Sequence, residues 1–140
     1  MRLRILFLLL ICMIVVGCEP AVAERSPEMA AVLDLAGDAA NGEALFNKDS
    51  HGSALLPSCV LCHSLEEGTR LAGPSLAGVS GRAATTIEGE SAEVYLYNSI
   101  IDPNTYIVDS FNGGVMSGQY ADALTDQEIA DLIAYLQTLK

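Results

Sequence analysis

The chain has 140 residues, of which 7 are basic and 18 acidic, for a formal charge of −11. Such acidity argues against binding nucleic acid and against an electrostatic hold on anionic lipid, and favours partners with basic docking faces. The length suits one domain of ordinary size with a leader.

The leader comes first. Arg2 and Arg4 precede an almost unbroken apolar run from Leu3 to Val16, the layout of an export signal and too short for a confident transmembrane helix. Val15-Val16-Gly17-Cys18 resembles a bacterial lipobox. Residues 1–17 are therefore expected to leave as a lipoprotein signal peptide, with Cys18 taking the lipid; removal of Arg2 and Arg4 shifts the charge to −13. The alternatives are ordinary cleavage after Ala23, which leaves a soluble protein, and an uncleaved helix. Two or three acyl chains would hold the protein firmly, whereas one would not.

Residues 18–37 read as a lipid-anchored tether, because Pro20 and Arg25-Ser26-Pro27 interrupt any sustained period. Fully stretched, such a segment reaches at most roughly 60 Å. Within it, Met29-Ala30-Ala31-Val32-Leu33 forms an apolar patch suited either to a partner subunit or to packing on the chain's own domain.

That domain is expected over residues 38–140 as helices joined by irregular loops, with no convincing strand alternation. A first helix from about Ala39 to Asn47 carries Gly42, which permits close approach of another helix, and Phe46, which can pack beside it. Cys59-Val60-Leu61-Cys62-His63 follows, a CxxCH pentapeptide spaced to fasten a c-type haem and ligate its iron. Cysteines at i and i+3 of a helical turn share one face, and His63 can turn its ring under the iron.

Three other readings carry less weight. A redox-active CxxC belongs beside a strand in a βαβ pattern, which this chain lacks. Zinc held by Cys59, Cys62, His63 and His51 would crowd three ligands into five residues, where tetrahedral sites prefer pairs on separate elements. Unmodified thiols outside the cytoplasm oxidise readily.

A middle helix is expected from an N-cap at Ser91 to about Ile101, ended by Asp102-Pro103-Asn104. The last is the clearest: Thr125-Asp126-Gln127-Glu128 is a capping box, and Ile129, Leu132, Ile133 and Leu136 make one apolar stripe. The first and last helices are expected to cross.

From about Asp38 to Lys140 the chain resembles the class I c-type cytochromes. The elements come in that family's order: Gly42 and Phe46, the CxxCH at 59–63, Gly73-Pro74-Ser75-Leu76, a methionine in a glycine-rich loop, and an amphipathic terminal helix. The resemblance implies an all-α fold, a small helical bundle wrapped around one low-spin haem c bound covalently through Cys59 and Cys62. It also implies that the carbonyl of Pro74 accepts a hydrogen bond from the proximal His63.

The second axial ligand is argued separately. With Met1 and Met13 gone in the signal, Met29 lies in the tether and Met116 lies in Gly113-Gly114-Val115-Met116-Ser117-Gly118, where glycines let the backbone fold closely over the macrocycle. Met116 is the expected ligand; His51 is a rival, although a surface or loop role suits it better, and an open site is the remaining reading. Many family members have proline directly after the methionine, and here that place is held by Ser117. Arg82 could pair with a haem propionate or stay solvated, and Tyr97, Tyr106 and Asn112 could line the pocket or serve core and turn roles.

With both axial positions filled there is no place for oxygen or peroxide, so the resemblance implies electron transfer rather than enzymatic turnover. The alternative is a haem c enzyme or ligand sensor with a labile distal site. Expected partners are redox proteins, reached as a tethered carrier or as a subunit of a bacterial respiratory or photosynthetic assembly at the outer face of the membrane. The overall plan is similar to the monohaem lipoprotein subunit of alternative complex III.

Overall fold

A computed structural model describes residues 26–140. The expected signal peptide and lipid-bearing Cys18 lie outside the described residues.

The first helix, α1 (Pro27–Leu33), falls where a tether was expected. Ser26 caps it by accepting from the Met29 amide at 3.1 Å, and Pro27 occupies the first turn, where a missing amide hydrogen costs nothing. Val32 is buried in the common core, with Met29 and Leu33 packed against it. The apolar patch thus seats on its own domain, one of the two placements expected for it, with α1 packed against the helices Asp126–Leu136 and Ala92–Ile101. The joint is tight at Gly37, where an added Cβ would stand 2.3 Å from the Ala130 carbonyl oxygen.

Asp38 caps α2 (Ala39–Phe46) by accepting from the amides of Ala40 and Asn41. The expected capping box starts α6 (Asp126–Leu136), with the Thr125 amide donating to Glu128 Oε2 at 2.9 Å and the Glu128 amide to Thr125 Oγ1 at 3.3 Å. These two helices cross, in the most extensive helix contact among the described residues. Gly42 makes the crossing possible, since a Cβ there would meet the Asp131 carbonyl oxygen at 2.0 Å, and Phe46 packs on Tyr135 at 5.5 Å between ring centroids.

Between them, α3 (Val79–Thr86) packs on α4 (Ala92–Ile101), and α4 in turn packs on α6. Ser91 caps α4, accepting from the Val94 amide at 3.4 Å. A single turn, α5 (Tyr120–Ala123), precedes α6 and buries Tyr120. The all-α class holds. Among the described residues the one addition is a pair of two-residue antiparallel strands, β1 (Ser50–His51) and β2 (Leu56–Pro57), pairing Ser50 with Pro57 and His51 with Leu56. Strands of two residues are too short to show alternation in a sequence. Among the described residues, no helix is long and apolar enough to cross a membrane.

Candidate haem site

The CxxCH segment folds as a 3₁₀ turn, Cys59–Leu61, in which the amides of Cys62 and His63 both donate to the Cys59 carbonyl, at 3.1 and 2.9 Å. A 3₁₀ turn eclipses residues three apart, so the two thiols point to the same side. Both are half-buried. Burial pushes the Cys59 thiol up to about 11, only partly opposed by a backbone hydrogen bond, so it is a neutral thiol at physiological pH. Ser58 anchors the start of the turn, donating to the Phe46 carbonyl at 3.2 Å.

His63 is fixed by its neighbours. Its Nδ1 lies 2.9 Å from the Pro74 carbonyl oxygen. A carbonyl only accepts, so Nδ1 carries the hydrogen and the Nε2 lone pair is free. Burial lowers the ring's pKa, with the Pro74 bond pulling the other way, which favours the neutral, ligating form. Gly73 is indispensable here, because a Cβ would stand 2.5 Å from His63 Cε1 and 2.8 Å from Nδ1. The Gly73 amide donates to the Cys62 carbonyl at 2.7 Å and the Leu76 amide to the Ser64 carbonyl at 2.8 Å, so the glycine-proline corner is clamped onto the pentapeptide.

Cys59, Cys62, His63, Pro74 and Met116 all line one cavity of about 380 Å³. Its wall is largely apolar, with Phe46 from α2, Leu96 and Ile100 from α4, and Leu132 and Leu136 from α6. The volume lies in the range of cofactor pockets. A flat apolar macrocycle with two thiol attachment points, one imidazole and one thioether around it fits this donor set, and haem iron supplies one-electron chemistry when bound there.

The loop over the cavity, residues 102–119, brings Met116 to it half-buried. Gly114, at φ 75°, turns the backbone, and its amide donates to Asn104 Oδ1 at 2.7 Å. Arg70 reaches across from the proximal side, its guanidinium carbon 4.0 Å from the Phe111 ring centroid and a nitrogen donating to the Ser110 carbonyl. Ser117, standing where many family members have proline, accepts from the Gln119 amide at 3.2 Å and so shapes the turn by a hydrogen bond instead of a ring.

Other expectations are resolved differently. His51 is neither on the surface nor at the cavity: it is 1 % exposed on β1, with Nε2 3.8 Å from Cys59 Sγ. Arg82 donates to the backbone carbonyls of Ala77 and Ser75, the latter at 2.9 Å, and so braces the proximal loop. Tyr106 and Asn112 line the cavity, whereas Tyr97 is core; Tyr95, which sequence reasoning passed over, lines it too and meets Tyr106 edge-on at 5.9 Å. Tyr120 is another residue without a local signal, its hydroxyl donating 2.7 Å to the Pro57 carbonyl.

Cavity, paired thiols and neutral imidazole together define a covalent haem site in a small helical fold. Residues 39–140 match the Cytochrome c family, and the chain belongs to it. It is similar to a cytochrome c2 of Rhodopseudomonas palustris, 30% identical over 125 residues that cover 74% of this chain and 99% of the relative. It also resembles cytochrome c2 iso-2 of Magnetospirillum molischianum, 36% identical over 94 residues (59% of this chain, 91% of the relative). A third relative is the cytochrome c-type cyt cy of Rhodobacter capsulatus, 31% identical over 128 residues, covering 86% of this chain and 56% of that protein. The protein is a class I c-type cytochrome: an electron-transfer protein, not an enzyme, carrying one haem c bound covalently through Cys59 and Cys62. Family membership sets aside the zinc and redox-dithiol readings of the same residues.

Proposed function

We propose that the haem is ligated by His63 and Met116, with Pro74 orienting the imidazole, and that the protein passes single electrons between redox proteins while anchored through lipid on Cys18 at the periplasmic or outer face of a bacterial membrane. The observation that carries the ligation is that His63, with Nε2 free, and Met116 line the same cavity. Histidine with methionine favours the reduced iron and fills both axial positions, so little rearrangement accompanies exchange. The test is spectroscopic. The oxidised holoprotein should show a sulfur-to-iron charge-transfer band, and the reduced protein should not bind carbon monoxide. Met116→Ala should abolish the band and lower the potential; a variant that kept both would sink Met116 as ligand, and carbon monoxide binding by the wild type would favour the ligand-sensor reading.

The packing of α1 bears on how the domain is held. Only eight residue steps separate Cys18 from Ser26, the cap of α1, and even a fully extended segment of that length spans at most roughly 28 Å. So short a leash keeps the domain near the bilayer and favours a fixed subunit of a membrane respiratory complex, on a plan similar to alternative complex III, over a long-swinging carrier. Native mass spectrometry of membrane-extracted protein tests this directly: acylation at Cys18 and co-purifying subunits are expected, and an unacylated lone chain would defeat it.

A further inference from the structure

Beside the haem site is a buried group that the ligation scheme does not use. His51 on β1 is 1 % exposed, and its ring sits edge-on to Tyr120 at 5.9 Å between centroids. One nitrogen, Nε2, lies 3.8 Å from Cys59 Sγ; the other, Nδ1, is buried with no hydrogen-bond partner among the described residues.

We propose that His51 is a positioning residue for the haem, its neutral ring donating Nε2–H to the sulfur that Cys59 contributes to the thioether link. The choice of tautomer follows from the two nitrogens. When a thiol adds across a haem vinyl group, sulfur bonds to one vinyl carbon and the thiol hydrogen goes to the other, with no electrons gained or lost. The sulfur then has lone pairs but no hydrogen. Were the imidazole hydrogen on Nδ1, that donor would be buried unsatisfied, and the Nε2 lone pair would face the sulfur's own lone pairs. With the hydrogen on Nε2 both faults vanish, and only a bare acceptor remains at Nδ1.

The charged form is disfavoured by what surrounds the ring. Burial and the Lys48 ammonium lower its pKa, while Glu128 acts the other way and more weakly; Tyr120 and Cys59 complete the groups facing it. Attachment at Cys59 therefore locks one tautomer. The N–H also draws electron density from a sulfur bonded to the macrocycle, which favours the reduced iron.

The inference rests on haem attachment at Cys59 and is independent of Met116. Holoprotein with nitrogen-15-labelled histidine, reduced so that the iron is diamagnetic, gives the first test by nuclear magnetic resonance. His51 should be neutral with its hydrogen on Nε2 from pH 6 to 8; a hydrogen on Nδ1, or a cationic ring at pH 7, overturns the proposal. The second test is the potential of two variants, each checked by pyridine haemochrome for two thioether links. His51→Leu should shift the oxidised-to-reduced ratio at a fixed reference couple by about threefold to tenfold toward oxidised, tenfold being 59 mV for one electron, and His51→Gln, which keeps an N–H, should restore most of it. Equal potentials in the leucine variant and the wild type overturn the proposal. Should the leucine variant not accumulate as holoprotein, the wild-type tautomer decides alone.

Discussion

Segments 58–76 and 102–119 face the same cavity but are held by different means. The first is laced by two backbone bonds, Gly73 to Cys62 and Leu76 to Ser64, and by two side chains donating to backbone carbonyls, His63 Nδ1 to Pro74 and Ser75 Oγ to Glu66 at 2.7 Å. The second has local backbone turns, Thr105 to Asp102 and Phe111 to Val108, and its longer-range ties are side chains: the Asn104 amide under Gly114 and Arg70 on Phe111 and Ser110, with Ser117 in its own turn. Backbone lacing survives most substitutions, whereas side-chain lacing is lost with the residue. The proximal half is therefore the rigid platform, vulnerable to crowding, and the loop carrying Met116 is the half that opens first.

Crowding the platform should have the largest effect. Gly73→Ala sets a Cβ 2.5 Å from the His63 ring, and overpacking of this kind costs about 2–3 kcal/mol; denaturant unfolding should show the loss together with a shifted potential. An undisturbed potential would mean that the proximal side yields as readily as the distal.

Acid probes the same side. The folded-state pKa of His51 is lowered, so the unfolded chain binds the extra proton first, and its contribution, complete above the ordinary histidine value, is lost as pH falls below about 6.5 toward the folded pKa. The slope from this group reaches at most about 1.4 kcal/mol per pH unit in that window, and comparing denaturant midpoints of wild type and His51→Gln between pH 7 and 5 should isolate it.

On the distal side, Asn104→Ala removes the acceptor under the Gly114 amide, at a cost of about 1 kcal/mol, and hydrogen exchange at residues 113–118 should quicken while that at 73–76 stays as it was. Exchange that quickened equally in both would erase the contrast. Arg70→Leu is the smallest perturbation, about 0.5–1 kcal/mol for an exposed cation on an aromatic face, and its effect should likewise be confined to the loop.

Legibility followed locality. The capping box of α6, the Ser91 cap of α4 and the CxxCH turn are all written within a few neighbouring residues, and each formed as read. The glycine at 42 announced a close crossing because its meaning is steric. By contrast α1 offers only seven residues, too few for its period to stand out from a linker, and α3 has a weakly apolar sequence whose burial of Val79 and Ala83 depends on α4. His51 was misread because only the β1–β2 pairing folds it back onto Cys59. Asp131 gave no signal either: the residue is 4 % exposed in the middle of α6, and one partner of its carboxylate, at 2.8 Å, is the amide of Asp38, 93 residues away.

That last contact has a mechanical consequence. Asp131 accepts both from the Asp38 amide and from Gln127 Nε2, which also donates to the Ala36 carbonyl, so the junction between α1 and α2 is buckled to the final helix. Tension applied from the N-terminal end is borne in shear along α6, and the loops around the porphyrin are spared the load.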